Sequence, residues 1–220
     1  MLYQRNEHLE DQLLDELIAE IEDPSRKDQH PSVTDLIYCL TKSYLDMKQD
    51  KIVHTRQTKL FFTIGLGLEK AMLVARRDTP TNGQFEGIWY HLDSLDHDNL
   101  IEFKSTRVKA GTEPEKLPEG WMKQIKSYLK TQGQTKCSLV VLHITQPEII
   151  CWDIEFSQEE IDEQWAWLQN RKAEWEVYVG NGEVPRPFTF NEPWECLRCS
   201  YKFFCDATTT LVAGGYVHNA

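Results

Sequence analysis

The 220-residue chain has no apolar run near the roughly 20 residues that a membrane-spanning helix needs. Its opening, MLYQRNEHLEDQ, lacks the basic-then-apolar layout of a signal peptide. These absences lead us to expect a cytoplasmic protein with no membrane partner. In that compartment thiols stay reduced, and grouped cysteines point to metal rather than disulfides. No internal repeat, low-complexity tract or long linker interrupts the sequence, so one folded unit over 1–220 is expected. Positive charge is also scarce. Lys and Arg number 24 against 35 Asp and Glu, a net charge of −11 that at first argues against nucleic acid.

The shortage of positive charge is uneven. Residues 148–195 hold 12 acidic and 3 basic side chains, and residues 1–30 hold 9 and 3. Residues 101–136 reverse the balance, with eight Lys or Arg against four Glu. An acidic exterior follows from solubility alone, so the basic stretch is the part that needs a reason.

Hydrophobic spacing supplies the elements. Leu9, Leu13, Leu14, Leu17, Ile18 and Ile21 recur at helical intervals, predicting an amphipathic helix over 6–22. Ser32 with Asp35 forms a capping-box pair that opens a second helix running to Tyr44 or beyond. A third helix is expected over about 59–77. FEGIWYHLDSL (85–95) and LIEFKST (100–106) flank the turn-forming DHDN and predict a hairpin. A helix near 117–131 follows, then strands at 138–145 and 148–156, then a tryptophan-rich helix at about 157–176 and a Pro/Gly-broken tail. The order α-α-α-β-β-α-β-β-α predicts an α/β fold with a mixed sheet flanked by helices. We divide it into N-terminal helices (1–50), a core (59–156) and a C-terminal part (157–220).

Within the hairpin, a turn centred between His97 and Asp98 places Asp93 across from Glu102. Directly opposed residues share a face with Cβ atoms about 5 Å apart, and Lys104, two residues on, lies on the same face. Carboxylate oxygens are what Mg²⁺ or Mn²⁺ prefers, and an ammonium beside them would steady charge building on a phosphate. Taken alone, Glu-x-Lys on a strand equally describes a solvent-facing ion pair of little worth. Two companions add to it. Gln124 and Tyr128 share a helix face at i, i+4 in the next predicted helix, and Glu69, after Gly65, puts a carboxylate on the preceding one. Arg107, Lys123 and Lys126 follow closely, as a DNA-contacting row or as a solvated helix face.

Of the six cysteines, Cys196, Cys199 and Cys205 form C-x₂-C-x₅-C. Both zinc and iron–sulfur sites use such spacing, and both need a fourth ligand. Cys137 opens one predicted strand and Cys151 lies inside another, where the usual role is a small buried apolar residue. Cys39, in the predicted 32–44 helix, is our choice.

An upstream helix, an aspartate, E-x-K and then Q-x-x-x-Y resembles the layout of RecB-like PD-(D/E)XK nucleases. The resemblance implies that Asp93 and Glu102 hold Mg²⁺ or Mn²⁺, that Lys104 assists the nucleophile, and that Gln124 and Tyr128 position DNA. Glu69 stands where the family usually carries a histidine ligand. SVTDLIYCLTKSYL followed much later by the cysteine triplet resembles the iron–sulfur branch, which includes CRISPR-associated exonucleases. That branch implies a 4Fe–4S cluster on Cys39, Cys196, Cys199 and Cys205. It also implies trimming of DNA that is single-stranded or has single-stranded ends, and CRISPR adaptation or phage recombination proteins as partners. The competing expectation is a non-catalytic DNA-binding or assembly module stabilised by a cysteine metal site.

Overall fold

Residues 99–106 alternate Leu100, Glu102 and Lys104 with Ile101, Phe103 and Ser105, and they form the strand around which the molecule is arranged. The computed structural model describes residues 6–21, 31–48, 56–76, 81–96, 99–185, 193–197 and 199–213. Four helices come first: α1 (Glu7–Ile21), α2 (Val33–Ile37), α3 (Leu40–Lys48) and α4 (Arg56–Arg76). Strands β1 (Thr81–Phe85), β2 (Ile88–Leu92), β3 (Ser94–Asp96) and β4 (Asn99–Thr106) precede α5 (Glu119–Gln132). Then come β5 (Lys136–His143), β6 (Glu148–Glu155), α6 (Gln158–Asn181), α7 (Pro193–Leu197) and α8 (Lys202–Ala213).

The main sheet runs β3-β4-β5-β6, and β1-β2 forms a separate two-stranded ribbon. β4 pairs antiparallel with β3 and parallel with β5, while β6 returns antiparallel to β5. Parallel neighbours need a crossover, and α5 supplies it. Pro118 precedes α5, and Gly133 ends it in the left-handed region at φ 64°, its N–H reaching the Leu129 and Lys130 carbonyls. One sheet face, through Leu100, Leu139 and Val141, packs on Ile125 and Leu129 of α5, with Leu36, Ile161 and Leu168 joining the same core. The other face carries a smaller cluster, Ile101 and Phe103 against Leu73 of α4. This is the α/β architecture with a mixed, helix-flanked sheet that the sequence predicts.

Three expectations need correction. The segment 85–95 is not one strand: Glu86 and Gly87 adopt φ 47° and 78°, turning the chain into the β1-β2 hairpin. Glu86, unusual there for a non-glycine, is held from α6, where Trp165 Nε1 donates to its carboxylate at 2.7 Å. The helix expected from Ser32 to Tyr44 is broken. The Ser32–Asp35 capping box forms, but Tyr38 is extended, and Arg171 of α6 caps the Leu36 and Tyr38 carbonyls at 2.6 and 2.5 Å. Cys39 therefore sits between two helices rather than within one. The C-terminal tail, expected to be irregular, contains α7 and α8. The expected turn residues His97 and Asp98 lie outside the described residues. Asp96 is exposed and ion-paired with Arg76 at 3.1 Å.

Candidate active site

The β3-β4 register pairs Ser94 with Ile101 and Asp96 with Asn99, so Asp93 falls one step before Ser94, where Glu102 lies opposite. It stands at the junction of β2 and β3, and its Oδ2 accepts the Phe103 N–H at 2.8 Å. Glu102 is fully buried and Asp93 nearly so. The Lys104 ammonium contacts Glu102 Oε1. Across from them on α5, Gln124 Nε2 donates to Tyr128 Oη at 2.8 Å, and Tyr128 is buried.

Burial first, then the Glu102 carboxylate, holds the Asp93 pKa well above the usual carboxylate range; Lys104 and the Phe103 N–H oppose this, and Glu69 reinforces it. Burial works to lower the Lys104 pKa, but Glu102 and Asp93 outweigh it and hold it above the ordinary lysine value. Burial, followed by Glu102, raises the Tyr128 pKa. Two carboxylates forced together out of water, with one ammonium between them, leave negative charge that a cation would offset. Mg²⁺ takes one or two carboxylates and fills its remaining positions with water and substrate phosphate, so Asp93 and Glu102 fit it. Among the described residues no three Asp, Glu, His or Cys side chains already converge as a metal-holding group. Glu69 influences Asp93 without completing such a set.

A cleft of ≈ 270 Å³ opens between α4 and the sheet, lined among others by Phe61, Phe62, Glu69, Lys104, Ser105 and Trp121. Arg107 lies at its edge, its guanidinium 4.6 Å from the centre of the Phe61 ring. Lys123 and Lys126 are turned elsewhere. The Lys123 ammonium lies 4.1 Å from the Trp167 ring and 3.4 Å from Glu119. That of Lys126 lies 5.0 Å from the Phe156 ring and 3.8 Å from Glu160.

Cys39 lies near enough to Cys196, Cys199 and Cys205 to influence each electrostatically. Cys39 N donates to Glu195 Oε2 at 3.0 Å, joining the α2–α3 break to α7. Thr41 Oγ1 donates to the Pro185 carbonyl at 3.0 Å, and Tyr201 Oη donates to Asp46 at 2.8 Å. Burial, and then Cys39, push the Cys196 thiol up. Burial raises Cys199 as well, against the Tyr201 N–H and Lys42, with Cys39 and Cys196 adding to the rise. Cys205 is pushed up to about 11 by burial, then by Cys39, Cys199 and Cys196. Burial and neighbouring thiols thus raise Cys196, Cys199 and Cys205, and among the described residues these cysteines do not already converge as a metal-holding group. Cys137 is buried in β5 as expected, its thiol pushed up to about 12 by burial and Glu102. Cys151 is exposed on β6, contrary to expectation.

Sequence reasoning missed Arg171 and the aromatic cleft wall. Arg171 and Lys172 interrupt an otherwise acidic helix, and that interruption is the signal that could have flagged the first. Phe61 and Phe62 read only as apolar positions on a helix.

No protein-family model matches the sequence, and no curated protein matches it. The fold is similar to that in the crystal structure of SSO0001, with a TM-score of 0.54 at 19% identity over 90% of this chain and 95% of that one. Weaker overlaps include an alkaline exonuclease from Laribacter hongkongensis, with a TM-score of 0.48 at 17% identity over 76% of this chain and 95% of that one. A phage-related exonuclease from Haemophilus somnus 129PT gives a TM-score of 0.45 at 12% identity, over 77% and 95%. Among the described residues no helix is long and apolar enough to cross a membrane.

Proposed function

We propose that this chain is a metal-dependent DNA nuclease, acting as an exonuclease that trims DNA ends. The observation that carries the reading is the buried Asp93–Glu102 pair with Lys104 in contact with Glu102 and Tyr128 facing them. A bound Mg²⁺ or Mn²⁺ would supply polarisation of the scissile phosphate and a lowered pKa for water. Asp93 and Glu102 are the residues that would hold it, with Glu69 as a further carboxylate at the cleft. Lys104 is placed to steady negative charge as the phosphate is attacked, an effect of differential binding in the transition state. Gln124 and Tyr128 orient the substrate backbone. Arg107 contacts a phosphate at the cleft edge, while Lys123 and Lys126, engaged with rings and carboxylates, contribute at the periphery.

Cys39, Cys196, Cys199 and Cys205 would hold a 4Fe–4S cluster that clips the two ends of the chain together. Its place is structural, since the arrangement asks for no electron transfer. The whole of 1–220 acts as one unit in the cytoplasm, on DNA with single-stranded ends, alongside CRISPR adaptation or phage recombination proteins. Anaerobically purified protein incubated with end-labelled single- and double-stranded DNA tests the activity. Degradation with Mg²⁺ or Mn²⁺, abolished by chelator, is expected. Normal DNA binding with no cleavage under either metal would replace the nuclease with a binding module.

A further inference from the structure

Helix α1 carries more apolar surface than α4, the helix it packs on, covers. Leu14 is buried, and ion pairs hold α1 to α4: Arg56 with Glu10, Arg56 with Asp11 at 3.4 Å, and Lys59 with Asp15. Leu9, Leu13 and Leu17, by contrast, are 46%, 49% and 49% exposed. At about 3.6 residues per turn, positions i, i+4 and i+8 form one ridge along a helix. That ridge is offset from the side Leu14 buries. Single exposed leucines are ordinary, but a contiguous row on one face marks a surface that another molecule covers.

Charge selects the occupant. α1 contains Glu7, Glu10, Asp11, Asp15, Glu16 and Glu20 and no Lys or Arg. Nucleic acid and anionic lipid are repelled by that charge, and so is a second α1 laid against the first. α4 shows the chemistry that does fit, an apolar seam with Arg56 and Lys59 reaching across it to the acids. Glu16, which accepts from Gln12 Nε2 at 2.7 Å, lies one turn from Leu13 and offers a carboxylate to a second such helix. We infer that α1 is a docking helix, on which Leu9, Leu13 and Leu17 take an amphipathic helix of another protein flanked by Lys or Arg. The inference is independent of the nuclease reading, since α1 supplies none of that site's residues.

The test uses full-length protein and a labelled synthetic helix of about 18 residues, with Leu on one face and Lys on both flanks. Two control peptides scramble its order or carry Glu in place of Lys. Anisotropy in about 0.15 M salt should show binding of the Lys peptide, with both controls at least about tenfold weaker. Hydrogen exchange should slow in α1 when the Lys peptide is bound. Leu13→Gln, which keeps a good helix former at an exposed position, should weaken binding at least about tenfold at unchanged Tm. Glu16→Gln should weaken it less, by an amount that fades as salt rises. No binding by wild type, equal binding of the scrambled peptide, or unchanged affinity in both Leu13→Gln and Leu17→Gln overturns the docking row. A clear fall in Tm for Leu13→Gln also overturns it, by making Leu13 a packing residue. Self-association of wild type that Leu13→Gln abolishes gives the row to a second copy and overturns the basic partner.

Discussion

Asp93, Glu102 and Lys104 are placed by strand register, whereas the cysteine set joins chain segments 156 residues apart through contacts such as Cys39 N to Glu195. The first group is assembled with no ligand needed, and the fold bears the cost of burying like charges. The second depends on a tail that reaches the α2–α3 break through a few polar contacts. On the proposed reading, metal at the carboxylates would relieve electrostatic strain in a formed site, while metal at the cysteines would contribute folding free energy. Function and stability should separate when the two are perturbed.

The largest expected effect is on catalysis. Lys104→Met should lower metal-dependent DNA degradation by at least about 100-fold, measured on end-labelled DNA, with DNA affinity little changed. Comparable loss of affinity and rate would mean that Lys104 binds ground state and transition state alike. Next is Cys39→Ala, which cuts the link between the ends. It should lower Tm by roughly 10 °C and strip the bound iron, yet leave Mn²⁺ binding at Asp93 and Glu102 detectable by magnetic resonance. Unaltered Tm and iron content would remove Cys39 from the set.

Arg171→Met sharpens the same contrast with a smaller effect. It leaves the Leu36 and Tyr38 carbonyls without their guanidinium, at about 1–3 kcal/mol for an unsatisfied buried group. A drop in Tm with partial loss of bound iron is expected, and Arg171→Lys should recover part of both. The smallest effect is a pH dependence. The folded-state pKa of Asp93 is raised, so its contribution to stability is full below the unfolded carboxylate value and is lost as pH rises through the folded one. In chelator at neutral pH, Asp93→Asn should therefore melt higher than wild type, with the gap closing under acid conditions. A lower melting point for Asp93→Asn at neutral pH would contradict burial as the dominant influence on this group.

Much of this was legible in the sequence because period-2 alternation and a turn fix register. The pairing of Ser94 with Ile101 follows from where the turn lies, and it carries Asp93 to Glu102. Gln124 and Tyr128 were legible because i, i+4 spacing on a helix leaves little choice. The break at Tyr38 was not, since it depends on Arg171, which is distant in sequence and caps carbonyls from α6. Nor was the turn at Glu86, a residue whose left-handed conformation is held by Trp165. The placement of Lys123 and Lys126 against α6 escaped for the same reason: tertiary partners decided it. Local spacing speaks for strands and helix faces, and it is silent where a distant side chain completes the backbone's hydrogen bonds.

The central claim is that the buried carboxylates hold a catalytic metal, and Glu102→Gln tests it with almost no change of shape. Wild type and Glu102→Gln, matched for Tm and iron content, would be compared on end-labelled single-stranded DNA across a Mn²⁺ titration. The account predicts metal-dependent degradation by wild type and a rate at least about 100-fold lower for Glu102→Gln at every Mn²⁺ concentration. Equal rates for the two proteins would contradict it and place the chemistry elsewhere.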